Sequence, residues 1–236
     1  MFDVIYNSIS GRSLGLRITE RPAFPAPEGN KTFTTIPGRS GSLVTDEETY
    51  DDIKVKIKFN FVNTDDTAVS RVFRSAKKWL LSDSGDSYLY VTDDSDIFYI
   101  VKSVTISDSD RTAKIGHSFT AEFRLDPYTY YRSGQIEITL PATLYNNGEL
   151  SEPVYKITGE GVCTITTSAG DTVTANIGQN LTIDCKNRMA YRTDSGTRNN
   201  TALTGDIADL CIPSGFFTVS VSSGFTAVLI PNWRAL

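Results

Sequence analysis

Between Ile53 and Phe61 the chain alternates without a break: Ile53, Val55, Ile57, Phe59 and Phe61 are apolar, whereas Lys54, Lys56, Lys58 and Asn60 are polar. A period of two belongs to a strand with one buried face. A slip of one residue would put all five apolar side chains into water, so the register is pinned. The lysine face must look at solvent, at a channel or at another subunit.

Before this strand, Phe2 to Tyr6 reads as a short strand closed by Asn7-Ser8, with Leu14 to Ile18 as its hairpin partner across a turn at Gly11. Pro22, Pro25 and Pro27 remove backbone donors, which makes Arg21 to Asn30 a loop or an edge segment. Lys31 to Ile36 regains strand character, and Arg39 to Leu43 is a turn with two glycines. Asp46, Glu47, Glu48, Asp51 and Asp52 then read as a solvated turn, or as partners for the lysines of a neighbouring subunit.

After Phe61 the period changes. Val69, Val72, Phe73, Ala76, Trp79 and Leu80 recur at spacings of three and four, which predicts one amphipathic helix packed on a sheet. Thr64 or Asp65 caps it, Asp65 and Asp66 with Lys77 and Lys78 suit its dipole, and Asp83 to Asp86 stops it. Tyr88 to Val91 and Ile97 to Val101 predict a hairpin around an Asp-rich tip, and Val104 to Ile106 and Ser118 to Leu125 two further strands. Asp126-Pro127 is expected to end the last of these.

From Gln135 onward the strand candidates are short and evenly spaced: 135–140, 154–157, 162–165, 172–175, 181–184, 216–221 and 226–230. With Gly and Asn turns and no helical period, they indicate an antiparallel β-sandwich. Charge shifts at the same place: residues 1–134 hold 17 of the 23 Lys and Arg and 19 of the 28 Asp and Glu. Two domains, 1–134 and 135–236, are the expectation, and the chain as a whole reads as mainly β.

Composition narrows the function classes. A net charge of -5 with no Lys/Arg cluster gives no phosphate footprint for nucleic acid, and Arg71, Arg74, Lys77 and Lys78 lie among acidic neighbours. No secretory signal and no bilayer-length apolar run is visible, so folding in a cytosol is expected, with departure by lysis or assembly. Cys163, Cys185 and Cys211 are odd in number and lack metal-site spacing, and read as reduced core thiols.

Candidate chemistry is sparse. The single histidine, His117, has no catalytic motif around it, and no C-x-x-C, H-E-x-x-H, G-x-S-x-G, Walker or dinucleotide signature is present. The Asp-rich tip at 92–96 lacks the spacing of a calcium loop. A carboxylate pair for glycoside hydrolysis stays formally open, but the acidic residues cluster in turns. A non-enzyme with no cofactor, no metal and no membrane segment is expected, built for structure or binding.

The order of features resembles the distal tail protein (Dit) family of long-tailed phages that infect Gram-positive bacteria. The resemblance is carried by Ile36-Pro-Gly-Arg-Ser-Gly-Ser-Leu43, the strand after Tyr50, the helix end Lys77-Lys-Trp-Leu80, the Tyr88 to Ile100 hairpin and Phe123-Arg-Leu-Asp-Pro-Tyr128. In the second half it is carried by Asn146-Asn-Gly148, Ser151-Glu-Pro-Val154, Leu181-Thr-Ile-Asp184, Asn199-Asn200 with Gly205-Asp206, Ile212-Pro-Ser-Gly215 and Ile230-Pro-Asn-Trp-Arg234.

That resemblance implies an N-terminal β-sandwich-like, tail-tube-like domain with one helix and an extended hairpin, followed by a galectin-like sandwich. It implies a homohexameric ring at the distal end of the virion tail, assembled in the host cytoplasm. Its expected partners are the tail-tube protein, a tail-tip or tail-associated lysin protein and receptor-binding proteins, with DNA crossing the channel without sequence-specific binding. Phe24 to Thr45 is the candidate for the clasping hairpin. Lys54, Lys56, Lys58, Arg39 and Ser40 are the candidates for a subunit interface or channel face. The alternative is a non-catalytic carbohydrate-binding β-sandwich protein, although the second domain lacks the dense polar and aromatic cluster of a sugar site and Trp233 reads as core.

Overall fold

The computed structural model describes residues 2–62, 66–82, 87–107, 116–168, 170 and 172–236. The helix cap expected at Thr64 or Asp65 and the stop expected at Asp83 to Asp86 lie outside the described residues. The protein is mainly β, with one α-helix among the described residues, and divides into two compact units: Met1–Thr129 together with Leu236, and Tyr130–Ala235.

The first unit contains β1 (Val4–Tyr6), β2 (Ile9–Ser10), β3 (Arg17–Ile18), β4 (Gly29–Thr35), β5 (Ser42–Tyr50), β6 (Ile53–Val62), α1 (Asp66–Leu80), β7 (Ser87–Val91) and β8 (Asp94–Ile106). β9 (Gly116–Tyr131) then carries the chain into the second unit. The main sheet runs β2-β1-β7-β8-β9-β6-β3. β6 pairs with β9 over ten residues, from Ile53↔Leu125 to Val62↔Gly116; Ile53, Val55, Ile57, Phe59 and Phe61 are all buried, while its lysines and the terminal Val62 are exposed.

The helix presents Val69, Phe73, Ala76, Trp79 and Leu80 to this sheet as one buried stripe, as the spacing predicts. The Trp79 indole N–H donates to Tyr6 O at 2.8 Å, and its ring meets Phe59 edge-on at 5.9 Å. One buried side chain thus ties the helix to two strands distant in sequence.

Four local expectations differ from the structure. The partner of β1 is β2, joined through Asn7 and Ser8, which both adopt positive φ; β3 pairs instead with β6, because the 3-10 turn Gly11–Leu14 carries the chain away. Val104 to Ile106 is the end of β8 and not a separate strand. Asp126-Pro127 does not end β9: pairing with β6 stops at Leu125, so Pro127 forfeits no bond to that strand. Asp46 to Glu48 lie inside β5 and not in a turn, and only Asp51 and Asp52 connect to β6.

The second unit contains β10 (Ile138–Thr139), β11 (Ala142–Asn146), β12 (Val154–Thr167), β13 (Thr172–Asp184), β14 (Met189–Tyr191), β15 (Leu203–Thr204), β16 (Gly215–Val221), β17 (Thr226–Ile230) and β18 (Arg234–Ala235). The four short strands expected between 154 and 184 are two long ones, paired continuously from Val154↔Asp184 to Thr166↔Thr172. One end of this hairpin joins β17, β10 and β14, and the other joins β16, β11 and β15. The switch falls at Gly159 to Gly161, opposite Gln179, where positive φ bends the ribbon. A Cβ on Gly159 would stand 2.4 Å from the Phe225 ring, so only glycine fits the bend.

Between the layers lies a core that includes Tyr155, Ile157, Ile165, Leu181, Ile183 and Phe217. The three cysteines are free and buried in it. Contact with Cys211, added to burial, opposes ionisation of Cys185, and burial raises Cys163 despite a contact with Ser222. Burial likewise holds Tyr155 well above its usual range, and its hydroxyl donates to Leu210 O at 2.8 Å.

Candidate assembly interface

β4 and β5 form a two-stranded sheet apart from the main one. Lys31↔Asp46, Phe33↔Val44 and Thr35↔Ser42 fall on one face; Thr32↔Thr45 and Thr34↔Leu43 fall on the other. Neither face is covered: Phe33, Leu43, Val44 and Ile36 are all exposed, with Phe33 at 64%. An isolated ribbon is at best marginal in water, and this one leaves apolar side chains on both of its faces open to solvent. The Lys31–Asp46 pair at 3.1 Å holds the register but is half in solvent and contributes little.

The clasping-hairpin expectation of Phe24 to Thr45 is thus displaced in detail. The ribbon spans Gly29 to Tyr50, whereas Phe24 stacks on Tyr99 at 4.7 Å and packs against the core of its own unit. Arg39 and Ser40 sit at the exposed tip, between Gly38 and Gly41 at φ 82° and 83°. Arg39 N–H donates to Ile36 O at 3.1 Å, and among the described residues its guanidinium has no ion-pair partner.

Lys54, Lys56 and Lys58 line the outer face of β6, opposite Arg124, Glu122 and Thr120 of β9. Lys56 reaches Glu122 at 3.6 Å, a largely solvated pair. Lys54 faces Arg124, whose Nε donates instead to Asp52 at 2.6 Å; Lys102 donates to the other oxygen of Asp52. Burial alone would raise the Asp52 pKa, but the hydrogen bonds and charges of Lys102 and Arg124 outweigh it and hold the carboxyl below its ordinary value. No hydrogen bond, ion pair or ring contact among the described residues joins the tip pair Arg39 and Ser40 to the lysine row, so the five form two surfaces and not one site.

His117 lies within β9, buried, stacked on Phe61 at 5.4 Å, and among the described residues neither ring nitrogen has a hydrogen-bond partner. It is packed as a core ring. At the Asp-rich tip, Arg21 pairs with Asp93 at 3.2 Å; no group of three His, Cys, Asp or Glu side chains among the described residues is placed to hold a metal ion. No described helix is long and apolar enough to cross a membrane.

Sequence reasoning missed two features. Phe33, Leu43 and Val44 give no signal, because a strand exposed on both faces has no burial period to read. Tyr131, Tyr145 and Trp233, distant in sequence, line one recess in the second unit; Trp233, half-buried, packs against the core as expected and also forms the recess wall.

No protein-family model matches the chain, and no curated protein does. A solved structure does: the Dit protein (gp 19.1) of phage SPP1, described as a paradigm of the hub adsorption apparatus in phages that infect Gram-positive hosts. The two superpose with a TM-score of 0.70 over 100% of both chains, at 13% identity. This chain has the Dit fold. The Dit fold accounts for the mainly β architecture and for one alignment that runs through both units. At 13% identity it is the fold that is shared, and the residues of the ribbon and lysine row must be argued from their own chemistry.

Proposed function

We propose that this protein is a structural component of a phage tail, forming a hexameric ring that joins the tail tube to the baseplate or tail tip. The observation that carries the reading is the β4–β5 ribbon, which exposes Phe33 and Val44 on one face and Leu43 on the other, on a chain with the Dit fold throughout its length. In this reading the first unit, which apart from Leu236 falls in the expected domain 1–134, builds the ring, and the ribbon lies on the neighbouring subunit. Burying a side chain such as Phe33 contributes about 1.5–3 kcal/mol, repeated at every interface of the ring.

The second unit, Tyr130–Ala235 and so close to the expected domain 135–236, is a galectin-like sandwich that docks tail-tip, lysin or receptor-binding proteins. Lys54, Lys56 and Lys58 face the channel through which DNA passes, or acidic residues of an adjacent subunit; Arg39 and Ser40 contact the neighbour at the ribbon tip. The protein is non-enzymatic, is assembled in the host cytoplasm and resides at the distal end of the tail.

The test is co-assembly. The full chain is mixed with the tail-tube and tail-tip proteins of the same phage and examined by negative-stain microscopy and light scattering. Sixfold rings at tube ends are expected. A chain that stays monomeric with both partners present sinks the reading.

A further inference from the structure

In the second unit, Tyr131, Ser133, Tyr145, Asn147 and Trp233 line an open recess of about 320 Å³. That volume sits at the small end of the ~300–1,000 Å³ typical of ligand pockets. Three of the five lining residues are aromatic, and beside them the exposed Phe216 ring contacts Tyr145 at 4.9 Å across the β11–β16 pairing. Among the described residues no charged side chain lines the recess.

Its walls are braced from outside. Tyr131 N–H donates to Trp233 O at 2.9 Å, and Asn232 N–H to Gly134 O at 2.8 Å. A Cβ on Gly134 would stand 2.3 Å from Trp233 N, so the closeness of these segments requires glycine. On the other side, buried Asn146 donates to Glu149 O at 2.8 Å and accepts from Gly148 N–H at 3.0 Å, which fixes the turn that presents Asn147.

The polar groups of the lining are nevertheless unspent. Among the described residues no hydrogen bond engages the side chains of Tyr131, Ser133, Tyr145, Asn147 or Trp233. The larger groove of the same unit is the contrast: there Lys156 pairs with Glu137 at 2.6 Å, Asp194 pairs with Arg192, and Asn180 accepts from Thr193 N–H. Its charged groups and the Asn180 amide are already engaged; the polar groups around Trp233 are open to a ligand.

We propose that Trp233, Tyr131 and Tyr145, with Asn147 and Ser133, form a binding subsite for one residue of a neutral saccharide. Ring faces carry negative charge density and meet the C–H face of a sugar, while an amide, three ring-borne donors and a hydroxyl match its oxygens. The absence of charge in the lining disfavours a phosphate or carboxylate ligand. The subsite does not depend on ring assembly, and its test does not either.

The full chain is titrated with glucose, N-acetylglucosamine, galactose, maltotriose and chitotriose, read by tryptophan fluorescence and saturation-transfer difference NMR. Trp79, buried in the first unit, supplies a constant background. At least one sugar should give a saturable change that Asn147→Ala and Tyr145→Ala each weaken tenfold or more, while Lys156→Ala, in the other groove, leaves it unchanged. Asn147 and Tyr145 are exposed, so their variants keep the parent's melting temperature, which is measured alongside. Silence across the panel overturns the proposal, as does binding that survives both variants.

Discussion

Phe33 and Val44 stand directly opposite one another on the β4–β5 ribbon, and both remain largely in water, at 64% and 50% exposure. A cross-strand apolar pair normally stabilises a sheet by closing over a core, and here there is none beneath it. Replacing the pair by Phe33→Ser and Val44→Thr should therefore change unfolding free energy by no more than about 0.5 kcal/mol, as for other exposed positions. Assembly should respond differently, with ring formation lost or shifted to at least tenfold higher concentration. Urea titration and light scattering on the same preparation separate the two effects; equal losses in both would show the pair to be ordinary fold-stabilising residues.

Asp52 bridges Lys102 and Arg124, and its pKa is lowered from the ordinary 3.8. A depressed folded-state value means that the stabilisation is fully present above the ordinary value and fades as pH falls through the folded one. Asp52→Asn should thus cost about 1 kcal/mol at neutral pH, where its partners are half-exposed. The difference from the parent protein should shrink as pH falls below 3.8. Denaturant unfolding at neutral and acid pH checks both statements, and a gap that widens on acidification refutes the assignment.

Glu152 and Arg234 form a largely buried ion pair in the second unit, at 2.5 Å, with the Arg234 side chain 8% exposed, the Glu152 side chain 20% exposed, and Arg234 Nε donating to Leu150 O at 2.6 Å. Removing one partner leaves a charge in a poorly solvated place. Glu152→Ala should cost about 3–5 kcal/mol, and Arg234→Met distinctly less, because the carboxylate left behind is 20% exposed and better solvated than the guanidinium at 8%. The order of the two unfolding midpoints is the measurement. The reverse order would mean that the arginine matters for its packing and backbone contact rather than for its charge.

What the sequence made legible is what local periodicity controls. The β6 alternation and the α1 stripe each have one buried face, and each was readable residue by residue. The β12–β13 hairpin was not, because Gly159, Gly161 and Gly178 read as breaks when they are the bend of a continuous ribbon. The acid-rich β5 read as a turn for a related reason: a strand exposed on both faces carries no period. The lysine row was found from its alternation, but the Asp52 bridge beside it needs residues 52, 102 and 124 brought together by the sheet. The recess at Trp233 depends on backbone bonds between Tyr131 and Trp233, a separation no local pattern spans.

Lys54, Lys56 and Lys58 decide what the outer face of β6 is for. All three are exposed, and only Lys56 has an ion pair among the described residues, a weak one with Glu122 at 3.6 Å. Reversing all three to glutamate removes that pair and places new carboxylates opposite Arg124 and Glu122, changes that largely offset. The monomer should stay folded, with stability altered by about 1 kcal/mol or less. If the face lines a channel or meets acidic residues of the adjacent subunit, the same variant should abolish ring assembly or block DNA delivery by otherwise complete particles. Complementation of a phage lacking the gene, with particles counted by microscopy and infectivity by plaque assay, distinguishes those outcomes. Normal particles with normal infectivity would make the row a plain solvated face, and the channel and interface readings of these lysines would both fall.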